Sequence, residues 1–508
     1  MPDASRSLPT RPSLRYLQLE ARRRRSAGEF PALHDAQAAI AREYGQPSWA
    51  ALRQLISAPP PQQAGPALAQ LTWVIARFRD AGSPGWAPPR DAELTEHFDD
   101  RFLAALPAGE LISSIAGVAA DLREDLTVVG QRPQEAHIRV GGLDVFASAA
   151  ADPPHRLTAL QAAPAPPRIT DPRVAAPPPA RTEGAVPAGL TGVADEAFAE
   201  LGLPALALAG GEPGGTGWVI AQGWADLERA ELLAPGHRFP ATGATALVTA
   251  TAVLRLVADG AVALDASANG HLRTVRLADD TITVRELLSH TAGVNSPAAA
   301  GMMTDSVTEL AALTGPVLAA DGPRGAVQPS NGGYAALGQL IADVTGSPYA
   351  GAVTRLVLEP LGMRGSSFPA RPADIGPGAV TGYSATRDGA LAPAGEMISA
   401  LPAAGGLWAP PADLARLAAG WSALLPAALA GEALTPQAGA GPGQPRAGLG
   451  WIISPRGDIA LHAGMQAGAT AAVLVRIRDR HARVIMTSTA TSLDAVNERV
   501  LRAWGASS

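Results

Sequence analysis

Apolar residues recur at three- and four-residue steps through residues 11–57, and this spacing predicts helices. Residues 67–160 hold helical segments such as ELTEHFDDRFLAAL and then strand-like runs such as LTVVG and LDVFASAA. A group of helices followed by a group of strands is typical of a small α+β unit. We therefore predict such a unit in this part of the chain.

From residue 191 the order is strands, then helices, then strands. LPALALAGG and GWVIAQGWADLE predict a hairpin, and ATALVTATAVLRLVADG predicts a buried helix because apolar residues cover a broad face. Near the end, LGWIIS, ATAAVLVRIR and RVIMTST predict adjacent strands of an antiparallel sheet, and LDAVNERVLRAWG predicts a closing helix. Helices inserted between two parts of one sheet predict an α+β fold for the large domain.

Changes of composition along the 508 residues mark the predicted domain boundaries. PPPQQAGP and the proline-rich residues 161–190 both predict linkers. We therefore predict an N-terminal helical segment over residues 1–58, a small α+β domain over 67–160, a linker over 161–190 and a large domain over 191–508.

The composition argues against a membrane or nucleic-acid partner. No apolar run is long enough for a transmembrane helix, which needs about 20 residues. The net charge of −6 differs from the basic excess of most nucleic-acid binders. The first residues lack the apolar core of a secretory signal, and with no cysteine in the chain this favours a cytoplasmic location. The histidines show no metal-ligand spacing, so we expect neither a metal nor another cofactor.

The chain contains no lysine, so all 40 basic residues are arginine. A guanidinium group stays protonated near neutral pH and cannot accept a proton there. Any mechanism that needs a lysine base or a lysine Schiff base is therefore excluded for this chain.

Five segments of the large domain resemble the serine β-lactamase and penicillin-binding-protein superfamily, in particular class C β-lactamases, D-Ala-D-Ala peptidases and related esterases. They stand in the family's order: TATAVLRLVADGAVALD, ITVRELLSHTAGV, SNGGYAALGQLIADVTGSPYAGAVTRLVLEPLGM, AAGGLWAPPADLARLA and AGLGW. The resemblance implies an antiparallel sheet flanked by helices, with a helical subdomain. It does not by itself imply the activity, because a fold and its site are separate claims.

Two weaker resemblances concern the N-terminal half. DAQAAIAREYGQPSWAALRQLI resembles the helical segment that precedes ankyrin repeats in many actinobacterial proteins, and it predicts internal packing or contact with a protein partner. FDDRFLAALP and DPPHRLTALQ resemble the cystatin-like or steroid-isomerase-like domain that precedes a β-lactamase-like domain in a protein of clavulanic acid biosynthesis. The second resemblance implies a small domain that covers the mouth of the large one.

The first family motif, Ser-x-x-Lys at the start of the buried helix, is lost. The resemblance places Gly243 at the position of the nucleophilic serine and Ala246 at that of the lysine. No serine occurs between Ser148 and Ser267, so another alignment cannot restore the nucleophile. Thr242 and Thr245 are the nearby hydroxyls, and we expect both to cap the helix rather than to act as nucleophiles.

The second and third motifs are partly kept. Pro329 replaces the tyrosine of Tyr-x-Asn while Asn331 remains, and we expect Ser330 between them to bond backbone. His462-Ala463-Gly464 matches the family's His-x-Gly on a strand at the pocket edge. The resemblance further implies that the N–H groups of Met465 and Gly243 form an oxyanion hole.

These residues favour a non-hydrolytic pseudoenzyme that binds a small molecule or a partner. The pocket residues of this hypothesis are Thr242, Gly243, Thr245, Ser330, Asn331, His462, Gly464 and Met465. The alternative is a non-covalent isomerase, lyase or cyclase of specialised metabolism, working in a roomy pocket left by Gly243 and Ala246. A second alternative is a weak esterase or β-lactamase that uses a threonine or Ser330.

Overall fold

The computed structural model describes residues 23–25, 29–30, 33–43, 65–132, 134–164, 169–215, 217–294, 303–320, 322–386, 388–396, 398–438 and 446–504. In the predicted N-terminal helical segment, the described residues include one helix of several turns, α1 (Leu33–Glu43). Its last residue, Glu43, forms an ion pair with Arg24. The other predicted helices of residues 1–58, and residues 59–64 of the first predicted linker, lie outside the described residues.

The small N-terminal unit consists of helices followed by a four-stranded antiparallel meander in the order β1-β2-β3-β4. One face of the meander packs on the first helix of the unit, and Leu71, Phe78 and Ile138 are buried there. This is the predicted α+β arrangement, whereas its likeness to cystatin-like domains stays a prediction. The elements are α2 (Pro66–Phe78), α3 (Asp91–His97), α4 (Asp100–Ala105), α5 (Ala108–Ala116), β1 (Leu126–Arg132), β2 (Glu135–Val140), β3 (Leu143–Ala149) and β4 (Leu157–Pro164).

The large domain is built on an antiparallel sheet in the order β17-β18-β19-β20-β21-β6-β7-β5, with β8 also paired to β7. The predicted hairpin is confirmed, because β6 pairs with β7. The sheet strands are β5 (Arg181–Glu183), β6 (Ala205–Gly211), β7 (Trp218–Asp226), β8 (Glu231–Leu232), β17 (Arg446–Ala447), β18 (Ile452–Ile453), β19 (Ile459–Gln466), β20 (Ala469–Arg476) and β21 (Ala482–Thr487).

Both faces of this sheet are buried, and the alternation of side chains along β6 shows how. Ala205, Ala207 and Ala209 face the core shared with the inserted helices, whereas Leu206 and Leu208 face the opposite core. Alternate residues of a strand point to opposite faces, so one strand supplies both cores. The opposite core is closed by α6 (Leu190–Leu201) and by the predicted closing helix, α15 (Asp494–Ala503).

The helical part of the large domain is inserted between β8 and β17. Its predicted buried helix is α7, and the other elements are a second long helix, α10, with shorter helices and two-stranded ladders. The helices are α7 (Thr245–Ala258), α8 (Val284–Leu288), α9 (Leu310–Thr314), α10 (Asn331–Thr345), α11 (Tyr349–Val353), α12 (Pro402–Gly405), α13 (Pro411–Gly420) and α14 (Ala427–Ala433). The strands are β9 (Phe239–Pro240), β10 (Arg276–Leu277), β11 (Met303–Thr304), β12 (Val317–Leu318), β13 (Tyr383–Ala385), β14 (Leu391–Pro393), β15 (Ile398–Ser399) and β16 (Trp408–Ala409).

The segment predicted as a linker contains residues that pack on the large domain. Strand β5 lies inside it and pairs with β7 at the edge of the sheet. Asp171 is 5% exposed, accepts a hydrogen bond from the backbone N–H of Leu391 and pairs with Arg173. These bonds to Arg173 and the backbone hold the pKa of the Asp171 carboxyl well below its usual range. The large domain therefore uses residues well before 191.

Among the described residues, no helix combines the length and the apolar content needed to cross a membrane.

Candidate functional site

A cavity of about 240 Å³ lies between the start of α7, the start of α10 and the edge of β19. All three degenerate motif regions meet at it, so the structure brings together residues that are more than 200 positions apart. The lining residues are Thr242, Gly243, Ala246, His290, Pro329, Ser330, Asn331, Tyr334, Ser399, Leu401, Ala404, Gly405, His462, Ala463, Gly464, Met465 and Gln466. Of the predicted pocket residues, Thr245 is the one absent from this lining.

A larger cavity of about 400 Å³ lies elsewhere in the helical part, and its lining includes Leu310, Gly338, Tyr349 and Leu401. None of the residues at the three motif positions borders it. We assign the candidate site to the smaller cavity because position relative to the motifs is a better guide than volume.

The chain enters α7 through a single 3₁₀ turn, Thr242–Ala244. Thr242 has a φ of +47° and its buried hydroxyl has no hydrogen-bond partner within the described chain. The hydroxyl of Thr245 accepts a hydrogen bond from the backbone N–H of Leu407, at 3.2 Å. The prediction that both threonines cap the helix is therefore wrong: Ala241 and Ala244 hold the cap positions, without side-chain bonds.

The backbone of β19 lies against Gly243, at the position that the family gives to its nucleophile. A β-carbon added at Gly243 would stand 2.8 Å from the carbonyl oxygen of Ala463 and 3.1 Å from Cα of Gly464. A β-carbon added at Gly464 would stand 2.1 Å from the nitrogen of Gly243. The expectation of a roomy pocket at Gly243 is therefore wrong, because backbone fills the space that a serine side chain would take.

This contact comes from the free edge of β19. The ladder between β18 and β19 ends at the pair Ile452–Leu461, so the next residues of β19 face the turn before α7 instead of a strand. The oxyanion hole made by the N–H groups of Gly243 and Met465 stays a prediction. Met465 itself is 63% exposed, at the mouth of the cavity.

The positions that the resemblance predicts for the base and the tyrosine, Ala246 and Pro329, both border the cavity. Ala246 is 4% exposed on α7, and Pro329 stands immediately before α10. Neither side chain can donate or accept a proton. No Arg, Asp or Glu is present among the described lining residues, so the cavity has no charged side chain.

Ser330 binds backbone, as expected from the sequence. Its hydroxyl donates to the carbonyl oxygen of Val294 at 2.5 Å and accepts from the N–H of Gly333 at 3.0 Å. Ser330 is thus the N-cap of α10, which Asn331 begins. A hydroxyl held on both sides in this way is not activated as a nucleophile.

His462 lies in the cavity wall and is 9% exposed. Its Nδ1 is 3.1 Å from the carbonyl oxygen of Gly450. A carbonyl oxygen only accepts, so Nδ1 carries the proton and the Nε2 of the neutral ring has a lone pair. Burial lowers the pKa of His462, because a charged imidazolium would lose its hydration.

His290 and Tyr334 also line the cavity, although neither was among the predicted pocket residues. The backbone N–H of Ser330 donates to Nδ1 of His290 at 3.1 Å, so the neutral ring carries its proton on Nε2. Burial, and to a lesser extent His462, lower the pKa of His290 to about 3. The ring centroids of His290 and His462 are 6.2 Å apart. The hydroxyl of Tyr334 donates to the carbonyl oxygen of Leu288.

A signal for His290 was present in the sequence. LLSHTAGV and SNGGY are both family segments, and the structure joins them through the bond between His290 and Ser330. Ser399 and Gln466 were also missed, and neither belongs to a motif.

Among the described residues, no group of three or more His, Asp or Glu side chains is placed to hold a metal ion.

Comparison with known proteins identifies the family of the large domain. The family model described as Beta-lactamase matches residues 190–505, which is more than half of the chain. The chain is 32% identical over 169 residues to Esterase EstB from Burkholderia gladioli. That match covers 29% of this chain and 43% of the esterase, so less than half of the relative's length is represented.

Solved structures share the fold at low sequence identity. The octameric penicillin-binding protein homologue from Pyrococcus abyssi superposes with a TM-score of 0.53 at 20% identity, over 62% of this chain and 78% of that chain. The D-amino acid amidase from Ochrobactrum anthropi SV3 gives a TM-score of 0.52 at 23% identity, over 62% and 96%. An α+β fold of the β-lactamase and penicillin-binding-protein type is thus what sequence and structure define. The chain belongs to the β-lactamase family.

Proposed function

We propose that the cavity beside Gly243 is a binding cleft for a small molecule and that the chain does not use the covalent chemistry of its family. The observation that carries the proposal is the contact of Gly243 with Ala463. A serine there would need the backbone of β19 to move, and no lysine exists to activate it. In a comparable catalytic triad, losing one member already removes nearly all of the covalent route.

The hydroxyl groups near the cavity support the same proposal. Ser330 and Thr245 each bind backbone, and the hydroxyl of Thr242 is enclosed. An esterase that used one of them would first have to break these contacts and would still lack a base beside the hydroxyl. The match to Esterase EstB keeps hydrolysis as a candidate to be tested.

Intact mass measurement tests the loss of covalent chemistry. The protein is incubated with a chromogenic cephalosporin and with a fluorophosphonate probe, and a family member that retains Ser-x-x-Lys serves as the positive control. We expect no adduct and no turnover above the background rate. A stoichiometric adduct on Thr242, Thr245 or Ser330 would overturn the proposal.

A non-covalent enzyme of the isomerase, lyase or cyclase type is the second candidate. His462 favours it, because its Nε2 has a lone pair and no hydrogen-bond partner among the described residues, so it can accept a proton from a bound compound. Any compound that raises the melting temperature is incubated with the protein, and its products are analysed by mass spectrometry and NMR. This distinguishes a binding protein from a non-covalent enzyme. An unchanged ligand supports the binder, whereas conversion that is lost in His462→Gln supports the enzyme.

The cellular setting belongs to the same proposal. We propose that the protein acts in the cytoplasm and in specialised metabolism and that its N-terminal helices contact a protein partner. Cell fractionation and co-purification with and without residues 1–58 test these three points. Recovery in the culture medium would contradict the location.

A further inference from the structure

We infer that Arg483 binds an oxyanion, either a carboxylate or a phosphate group, at a site separate from the candidate cleft. Arg483 lies on β21 opposite Leu474 of β20. The cleft borders the other end of β20, where Ala469 lies opposite the lining residue Gln466. The distance from Ala469 to Leu474 along the strand is about 17 Å. Binding of an oxyanion at Arg483 therefore does not depend on the proposed function.

Arg483 is a buried cation that has no acidic partner among the described residues. It is 8% exposed, and its one hydrogen bond within the described chain runs from Nη1 to the carbonyl oxygen of Ala482 at 2.9 Å. Nε is enclosed and has no hydrogen-bond partner, and Nη2 makes no hydrogen bond to a described residue either. An unsatisfied buried donor in a folded protein calls for an explanation such as a bound ion. Nε and Nη2 form one edge of the guanidinium group, and such an edge binds two oxygens of a carboxylate or a phosphate at once.

The carboxylates of the neighbouring turns are engaged with other basic side chains. Both oxygens of Asp479 accept from Nε of Arg476 at 3.0 Å. Glu212 lies 3.4 Å from Nε2 of His481. The segment RIRDRHAR, which spans the turn between β20 and β21, holds four arginines and one aspartate in a chain whose net charge is −6. This turn therefore carries an excess of positive charge, which attracts an anion.

The guanidinium group of Arg483 stays charged at neutral pH. Burial, and to a lesser extent the charge of Arg476, lower its pKa to about 10, although Asp479 opposes the shift. A buried charge gains little from solvent, so an opposite charge beside it is favourable. An oxyanion supplies that charge together with acceptors for Nε and Nη2.

Two indole rings hold the guanidinium group in place without satisfying it. Its Cζ lies 5.1 Å from the ring centroid of Trp218 and 4.6 Å from that of Trp504. Such cation–π contacts favour the charged form, but an indole offers a donor and no acceptor. Nε1 of Trp504 is itself enclosed without a hydrogen-bond partner. The surroundings of Arg483 therefore hold an excess of donors, which an oxyanion with several lone pairs would satisfy.

The position of the site next to the closing helix limits the size of the oxyanion. Trp504 directly follows α15, and its carbonyl oxygen accepts a hydrogen bond from Arg476 at 3.3 Å. Because Nε of Arg483 is enclosed, the side chains around it have to shift for an oxyanion to reach it. A small ion needs the smallest shift, so inorganic phosphate and acetate are suitable probes.

Titration with these two ions tests the inference. Each is added to the full chain slightly below neutral pH, with sodium chloride keeping the ionic strength constant, while NMR follows the ¹H–¹⁵N resonance of the Arg483 Nε–H. We expect at least one ion to shift this resonance saturably, with a dissociation constant in the millimolar range. The ion that binds more tightly identifies the group as a phosphate or a carboxylate. If neither ion gives a saturable shift up to about 100 mM, the inference is wrong.

A matched pair of variants locates the site. Arg483→Met removes the guanidinium group but keeps an unbranched chain that can pack on the two indoles. Arg478→Met makes the same change in the same turn, at a side chain that is 75% exposed. Calorimetric titration should show binding weakened at least about tenfold by the first change and less than about twofold by the second. Equal weakening by both would mean that the ion is attracted to the turn as a whole, and it would overturn the inference.

The test does not depend on the folding of Arg483→Met. Arg483→Lys keeps the positive charge but lacks the paired edge, so it should also weaken binding about tenfold, and undiminished binding in it would contradict the paired contact. In the unaltered protein, the Nε–H resonances of Arg483 and Arg478 are compared in one titration. A larger saturable shift at Arg483 supports the inference, whereas a larger shift at Arg478 overturns it.

Discussion

At the scale of single residues, the close contact between Gly243 and Ala463 matters most. Because of it, a serine at position 243 would not fit unless the backbone of β19 moved. The sequence alone shows that no serine lies between Ser148 and Ser267 and that the chain contains no lysine. The contact could not be predicted from the sequence, because it joins positions about 220 residues apart through the free edge of β19. The place of His290 in the cavity wall was missed for a similar reason, since it depends on the bond that joins His290 to Ser330.

Gly243→Ala should destabilise the protein by about 1–3 kcal/mol, because its β-carbon would stand 2.8 Å from the carbonyl oxygen of Ala463. Gly431→Ala is the matched control: it lies within α14, and an added β-carbon meets nothing within 4 Å. The control should be neutral or more stable by up to about 1 kcal/mol. The free energy of unfolding in urea measures both. Equal effects of the two substitutions would show that the backbone of β19 can shift away from residue 243 at little energetic cost.

Stability should fall as the pH drops from about 6.5 towards 5, partly because of His290. Its pKa in the folded protein is about 3, below the usual value of about 6.5, so the unfolded chain binds the proton first in this window. The contribution of His290 to the free energy of unfolding is fully present above pH 6.5. It is lost as the pH falls towards 3, at up to about 1.4 kcal/mol per pH unit. Urea unfolding between pH 7 and 5 measures the slope, which His290→Gln should reduce by about this amount. An unchanged slope in that variant would mean that His290 is not held neutral by the fold.

At the scale of elements, regular periodicity was the reliable guide. The hairpin of β6 and β7, the buried helix α7 and the closing helix α15 were predicted because their apolar spacing is regular. Strand β5 was not, because ARTEG follows a run of prolines and its composition is that of a linker. Its place in the sheet is determined by pairing with β7, which local composition does not encode.

The packing of α10 on α12 gives an element-scale prediction. An added β-carbon at Gly338 would lie 2.3 Å from Cβ of Ala403, whereas at Gly333 on the same helix the nearest atom would be 3.6 Å away. Gly338→Ala should therefore lower stability by about 1–3 kcal/mol despite the better helix propensity of alanine. Gly333→Ala should leave it unchanged or raise it by up to about 1 kcal/mol. Thermal and urea unfolding measure the pair, and a stabilising Gly338→Ala would contradict the close helix contact.

At the scale of the whole molecule, the chain contains separate hydrophobic cores. One lies within residues 67–157, and the cores of the large domain lie within residues 174–500. The sequence predicted this division from the order of helices and strands. What it could not predict was how far the large domain extends towards the small one, because Asp171 and β5 are held by contacts with distant residues.

Phe98→Ala and Phe198→Ala should act on different cores. Both side chains are fully buried, Phe98 in the small domain and Phe198 in the large one, and each truncation should cost about 3–5 kcal/mol locally. In calorimetry we expect two transitions, of which Phe98→Ala lowers one and Phe198→Ala the other. A compound that binds the proposed cleft should raise only the transition that Phe198→Ala lowers. A single transition lowered equally by both substitutions would show that the two units unfold together.

The state of the hydroxyl groups around Gly243 has a consequence for chemical reactivity. The hydroxyls of Ser330 and Thr245 are bonded to backbone, that of Thr242 is enclosed, and the chain offers no thiol and no side-chain amine. An activated ester or a strained acyl ring in the cavity would meet no activated hydroxyl, thiol or amine among the described lining side chains. The cavity is therefore suited to hold a reactive acyl compound without forming a stable ester with it, which a cavity lined by an activated serine could not do.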